Sequence, residues 1–116
     1  MLQRKNNKAL DLFASYGVTG VKVDFFGQED QTGIKMYEDI ARATAERIIL
    51  IDFHGATKPT GLYRTYPNVI NYEAVACNEW NKLSDDKVNL SHRVILPFTR
   101  WMQGPMDFTP GGMRKV

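Results

Sequence analysis

Gly20-Val21-Lys22-Val23-Asp24-Phe25-Phe26 is a β-branched, glycine-bounded run that breaks on a carboxylate. It predicts a buried strand over residues 18–26, with Asp24 where the strand runs out. Two further apolar runs repeat the arrangement downstream. Ile48 to Asp52 leads into Phe53-His54-Gly55, and Val69-Ile70-Asn71-Tyr72 is followed by Glu73, with Glu79 on the next loop. Polar and acidic side chains gathered at the same ends of successive strands are how a β/α barrel builds an active site. That ordering points to an enzyme.

The intervening segments fit the same scheme. Leu2, Ala9, Leu10, Phe13 and Tyr16 recur at near-helical spacing, predicting a helix over 2–16 that Gly17 closes. A second helix is expected over 33–46, with Ile34, Tyr37, Ile40, Ala41 and Ala45 on its apolar face and Asp30 or Thr32 as N-cap. Strands are expected over 47–53, 69–73 and 93–98, a loop over 55–65, and irregular or weakly helical chain over 75–92. A final loop holds Gly104-Pro105-Met106-Asp107 and Pro110-Gly111-Gly112. Strand alternating with helix implies a parallel sheet with right-handed crossovers, so that Asp24, His54, Glu73 and the Glu79 loop face one crevice. The expected fold class is α/β, a partial (β/α)8 barrel of about four parallel strands. A complete barrel takes about 200 residues or more, and this chain has 116. It is therefore expected to be one segment, 1–116, of a barrel incomplete at both ends.

Hydrophobic residues are 43% and charged residues 24%, ordinary for a soluble globular chain. The net charge of +2, from scattered Lys and Arg, leaves no electrostatic footprint for nucleic acid. A single cysteine, Cys77, excludes an internal disulfide and a CxxC metal site. No apolar run reaches the length of a membrane span. Metalloprotease helices, nucleophile elbows and phosphate-binding glycine loops are also missing from the sequence.

Asp24 closes a run that should be sheet core, where an ionised carboxylate is costly unless it sits at the strand mouth. The alternatives to a functional role are a helix N-cap or an ion pair with Lys22 or Arg64. Glu79 lies beside Trp80, and an apolar neighbour can hold a carboxyl protonated near neutral pH, as a general acid requires. Glu73 and Glu79 are six residues apart and could converge on one cation, whose hard oxygen ligands would suit Ca²⁺ rather than Zn²⁺. The competing readings are a surface salt bridge for Glu73 and a core aromatic for Trp80. His54, at a strand end before a glycine, is placed to hydrogen-bond a substrate rather than simply fill the core.

Longer strings then carry a resemblance. Gly20 to Phe25, Asp52-Phe53-His54-Gly55-Ala56, Lys58-Pro59-Thr60-Gly61-Leu62-Tyr63-Arg64-Thr65-Tyr66-Pro67-Asn68 and Asn71-Tyr72-Glu73-Ala74 are similar to the catalytic barrel of glycoside hydrolase family 97. So are Asn78-Glu79-Trp80, Leu96-Pro97-Phe98-Thr99-Arg100 and the string from Gly104 to Gly111. The resemblance implies an exo-acting α-glycosidase, an α-galactosidase or α-glucosidase, with a β-sandwich before the barrel and a small β domain after it. In the retaining branch the aspartate at the place of Asp24 is the nucleophile. In the inverting branch that aspartate is absent and a glutamate base stands where this chain has Gly55. Asp24 with Gly55 therefore resembles the retaining branch. The general acid/base falls on Glu79 and a calcium-binding glutamate on Glu73, with Glu79 a second candidate ligand. Lys22, His54 and Arg64 are expected to donate hydrogen bonds to sugar hydroxyls. The implied partners are an oligosaccharide substrate and the rest of the barrel, with no nucleic acid and no membrane. The implied location is periplasmic or secreted. A segment with open sheet edges is also expected to self-associate.

Overall fold

The computed structural model describes residues 2–85 and 87–109. Helix α1 (Leu2–Ser15) leads to strand β1 (Gly20–Val23), helix α2 (Gln31–Ala45) and strand β2 (Leu50–Phe53). One helical turn, α3 (Leu62–Thr65), precedes strand β3 (Val69–Tyr72), and two short helices follow, α4 (Trp80–Leu83) and α5 (Leu90–Ile95). The strands form one parallel sheet in the order β1-β2-β3. The chain is thus α/β.

Gly17 adopts the left-handed conformation (φ 76) after α1, and the amide of Val18 donates back to the carbonyl of Phe13 at 3.0 Å. Without a Cβ, glycine takes this turn at no steric cost. The Asp30 side chain accepts from the amide of Gly33 at 2.9 Å and caps α2, settling the choice between Asp30 and Thr32. The strands are shorter than their apolar runs, because Ile48 (φ 57) and Phe25 (φ 64) turn the backbone out of the sheet.

Side chains alternate across a strand, and here the alternation separates core from site. Val21, Val23, Ile51, Phe53, Val69 and Tyr72 pack with Tyr37 and Ala41 of α2. Phe26 stacks on Tyr37 with ring centroids 4.1 Å apart and meets Phe53 edge-on at 5.4 Å. Lys22, Asp52 and Asn71 lie side by side in the register, between these apolar positions.

The expected fourth strand over 93–98 does not form. Residues 90–95 are helix α5, and Leu96–Phe98 continue as a 3-10 turn, with a second such turn at Arg100–Gln103. Asn89 caps α5 by accepting from the amide of His92 at 2.8 Å, and Pro97 opens the 3-10 turn. A cap at the start and a residue without an N–H inside the run outweigh the β-branched Val94 and Ile95. Both of those side chains are exposed, as is Phe98. The sheet therefore has three strands rather than four among the described residues. Residues 110–112 of the final loop lie outside them.

Candidate active site

Each strand ends one residue before a polar side chain: Asp24 follows β1, His54 follows β2 and Glu73 follows β3. Parallel pairing therefore sets all three on one edge of the sheet. The residue after each of them has positive φ: Phe25 (64), Gly55 (52) and Ala74 (36). For a non-glycine residue this conformation costs about 1–3 kcal/mol. Two of these turned amides donate to the carboxylates. Phe25 N donates to Asp24 Oδ1 at 2.7 Å, and Gly55 N donates to Glu73 Oε2 at 2.6 Å.

His54 is the hub, only 4% exposed. Its Nδ1 lies 3.2 Å from Asp24 Oδ2 and 3.3 Å from Glu73 Oε2. Its Nε2 lies 3.1 Å from Thr109 Oγ1, and 3.9 Å from both Glu79 Oε2 and Asp107 Oδ2. Two carboxylates against Nδ1 place a proton there, because an ionised carboxylate only accepts. With a proton on Nδ1, His54 donates to these carboxylates, and Nε2 pairs with the Thr109 hydroxyl.

Gly55 leaves no room beside this arrangement. A Cβ at that position would stand 2.8 Å from Asp24 Oδ1. Cys77 lies behind Glu73, and its thiol donates to Glu73 Oε1 at 3.2 Å. Burial, then the Glu73 carboxylate, pushes the Cys77 thiol up from its ordinary value, so it stays a protonated donor.

Asp52 is pushed up to about 6, first by burial and then by its hydrogen bond to Asp107 and that group's charge, while His54 and Lys22 pull the other way. A protonated Asp52 can donate to Asp107, whereas an ionised one beside it would meet a like charge. The Asp107 amide donates to the Tyr72 carbonyl at 2.9 Å, and Asp107 Oδ1 accepts from Thr109 N at 3.0 Å, which ties this loop to β3.

Donor atoms of His54, Glu73 and Glu79 all lie within 4.8 Å of one another. The two carboxylate oxygens suit a hard cation such as Ca²⁺; an imidazole nitrogen does not. Such an ion takes 6–8 oxygens, so Glu73 and Glu79 could supply only part of its shell.

Of the residues singled out from sequence, Asp24, His54, Glu73 and Glu79 meet around one imidazole. Lys22 pairs in register with Asp52, which links to that cluster through Asp107. Arg64 stands elsewhere. With Lys58, Tyr63 and Gln103 it lines a groove of ≈ 570 Å³, its guanidinium 5.8 Å above the Tyr63 ring. Sequence reasoning assigned no role to Asp52, Asp107, Thr109 or Arg100. Asp52 carried a signal, an acid inside an apolar strand; the others are remote in sequence from the strand ends they serve.

The family model for Glycoside hydrolase 97 matches residues 1–75. The chain is 43% identical over 105 residues to a retaining alpha-galactosidase of Bacteroides thetaiotaomicron, which covers 90% of this chain and 16% of that protein. It is 43% identical over 101 residues to a probable retaining alpha-galactosidase of Streptomyces bingchenggensis, covering 86% of this chain and 15% of that one. Among solved structures, a glycoside hydrolase family 97 enzyme from Pseudoalteromonas sp. in complex with panose superposes with a TM-score of 0.82 at 29% identity, over 94% of this chain and 19% of that one. A beta-arabinopyranosidase superposes with a TM-score of 0.77 at 30% identity, over 91% and 17%. The chain thus spans less than a fifth of the length of these relatives. It belongs to the glycoside hydrolase 97 family.

Proposed function

We propose that residues 1–116 are a segment of the (β/α)8 catalytic domain of a retaining exo-α-glycosidase that cleaves terminal α-galactosides. The observation that carries this reading is the meeting of Asp24 and Glu79 on opposite nitrogens of one buried imidazole, at the C-terminal edge of a parallel sheet. Barrel enzymes draw their catalytic groups from that edge. Asp24 attacks the anomeric carbon while Glu79 protonates the departing oxygen. Glu79, now ionised, then takes a proton from the water that opens the glycosyl-enzyme. His54 orients the nucleophile through Nδ1. The crowding at Gly55 supports retention, since no side chain there could hold a water-activating base without displacing Asp24.

Lys22 is the nearer donor for sugar hydroxyls, since both His54 nitrogens are already engaged within the site, whereas Arg64 would meet only a part of the substrate that reaches its groove. Glu73, with Glu79 while ionised, would hold Ca²⁺. That ion would supply a Lewis-acidic point able to orient a sugar hydroxyl or polarise the departing oxygen. The galactoside assignment follows the names of the two relatives at 43% identity. The panose complex of a structural neighbour favours α-glucosides as the second reading.

The test uses the full-length protein that carries these residues. NMR of aryl α-galactoside hydrolysis should show the α-anomer first, before mutarotation. Asp24→Gly should lower turnover by about 10³-fold or more, on the scale of losing a covalent nucleophile. Azide should then partly restore turnover and yield the β-glycosyl azide. Release of the β-anomer first would overturn the nucleophile assignment.

A further inference from the structure

Arg100 is a buried cation, 7% exposed, and every acceptor it meets among its described hydrogen bonds is a backbone carbonyl. Nη2 donates to Tyr72 O and Pro105 O at 3.1 Å, and Nε to Ala74 O at 3.2 Å. Nη1 donates to Gly104 O at 3.2 Å, and a longer contact of 3.5 Å reaches Glu73 O. Burying a guanidinium costs several kcal/mol before such bonds are made. Its acceptors fall in two groups. Tyr72, Glu73 and Ala74 are the end of β3 and the turn that aims the Glu73 carboxylate. Gly104 and Pro105 begin the loop that brings Asp107 and Thr109 to His54.

We propose that Arg100 is a positioning residue for the reaction, clamping the Glu73 turn to the Asp107–Thr109 loop so that both sides of His54 are held at once. The planar fork is suited to this task, since five N–H donors in fixed geometry can satisfy carbonyls from two segments together. Ala74, with φ 36, is held in an unfavourable conformation, and the clamp on its carbonyl opposes relaxation of that turn. Release of the clamp lets Glu73 leave the Gly55 amide, and His54 then loses its fixed orientation toward Asp24.

The proposal rests on the glycosidase reading, and the experiment separates the two. Arg100→Met and Arg100→Lys are made in the full-length protein, with melting curves, kcat and KM on an aryl α-galactoside, and a crystal structure of Arg100→Met. The expected result is a folded Arg100→Met whose kcat falls about 10- to 100-fold while KM changes less than about 3-fold, the scale of a lost supporting contact. Arg100→Lys should recover part of the loss, because its ammonium offers three donors. A folded Arg100→Met with wild-type kcat would overturn the proposal. So would failure of both variants to fold, which would assign Arg100 to the fold alone. If the wild type cleaves no aryl α-glycoside, the function reading fails instead, and the Arg100→Met structure decides. Glu73 still accepting from Gly55 N there would overturn the clamp, and a displaced carboxylate would uphold it.

Discussion

Asp52 shows how the site and the stability of the fold pull against each other. Its carboxyl ordinarily titrates at 3.8 and is raised to about 6 in the fold. Between those values the folded chain holds more protons than the unfolded one, so this group's contribution is full below 3.8 and is lost as pH rises through about 6. Asp52→Asn keeps a hydrogen bond for Asp107 without the ionisation. Relative to wild type, its melting temperature should match near pH 4 and rise to a constant advantage above pH 6; an equal difference at every pH would contradict the raised Asp52 carboxyl. Gly55 gives a second test. Alanine there would be strained at φ 52 and would press on Asp24. Gly55→Ala should therefore cut kcat by about 10²-fold, the scale of a small misplacement of a reacting group, with the fold retained. An Ala variant with wild-type kcat would mean that Asp24 has slack. The placement of Asp24, His54 and Glu73 was legible in the sequence because a strand end is a local pattern, whereas Glu79 stood out only through its Trp80 neighbour and the resemblance of Asn78-Glu79-Trp80. Thr109 was not legible, because its contact with His54 spans 55 residues and no periodicity reports it.

Among the elements, α2 carries the clearest conflict between local preference and packing. Alanine is favoured over glycine in a helix by about 1 kcal/mol, yet a Cβ on Gly33 would collide with the Gln28 carbonyl. Overpacking of this kind costs about 1–3 kcal/mol. Gly33→Ala should therefore destabilise the chain in urea unfolding, and a stabilised variant would show that the 27–30 loop yields freely. The same balance explains what sequence could and could not reveal about the elements. Both long helices and all three strands were foreshadowed by apolar spacing. The 93–98 run was not, because its β-branched residues face outward and the Asn89 cap and Pro97 decide its conformation. The strand ends were overestimated for a related reason. Positive φ at Ile48 and Phe25 is set by what the turn must reach rather than by the residue's own preference.

At the scale of the whole molecule, apolar surface outruns what three strands can cover. Phe25, Ile48, Leu90, Phe98 and Met102 are each at least 73% exposed, and no strand pairs with the outer edges of β1 and β3 among the described residues. Open edges and contiguous apolar surface drive association. Residues 1–116 expressed alone should therefore sediment as a concentration-dependent mixture; a monodisperse monomer with a sharp melt would contradict that reading. The crowding between Asp24 and Gly55 reaches beyond this one chain. Any side chain at position 55 would have to share the same few ångströms as the Asp24 carboxylate. If retention rests on Asp24 as proposed, a base gained at position 55 by one substitution would arrive crowded against it, and loss of Asp24 first would leave neither group. A change of stereochemical outcome at this place would then take two coordinated substitutions rather than one.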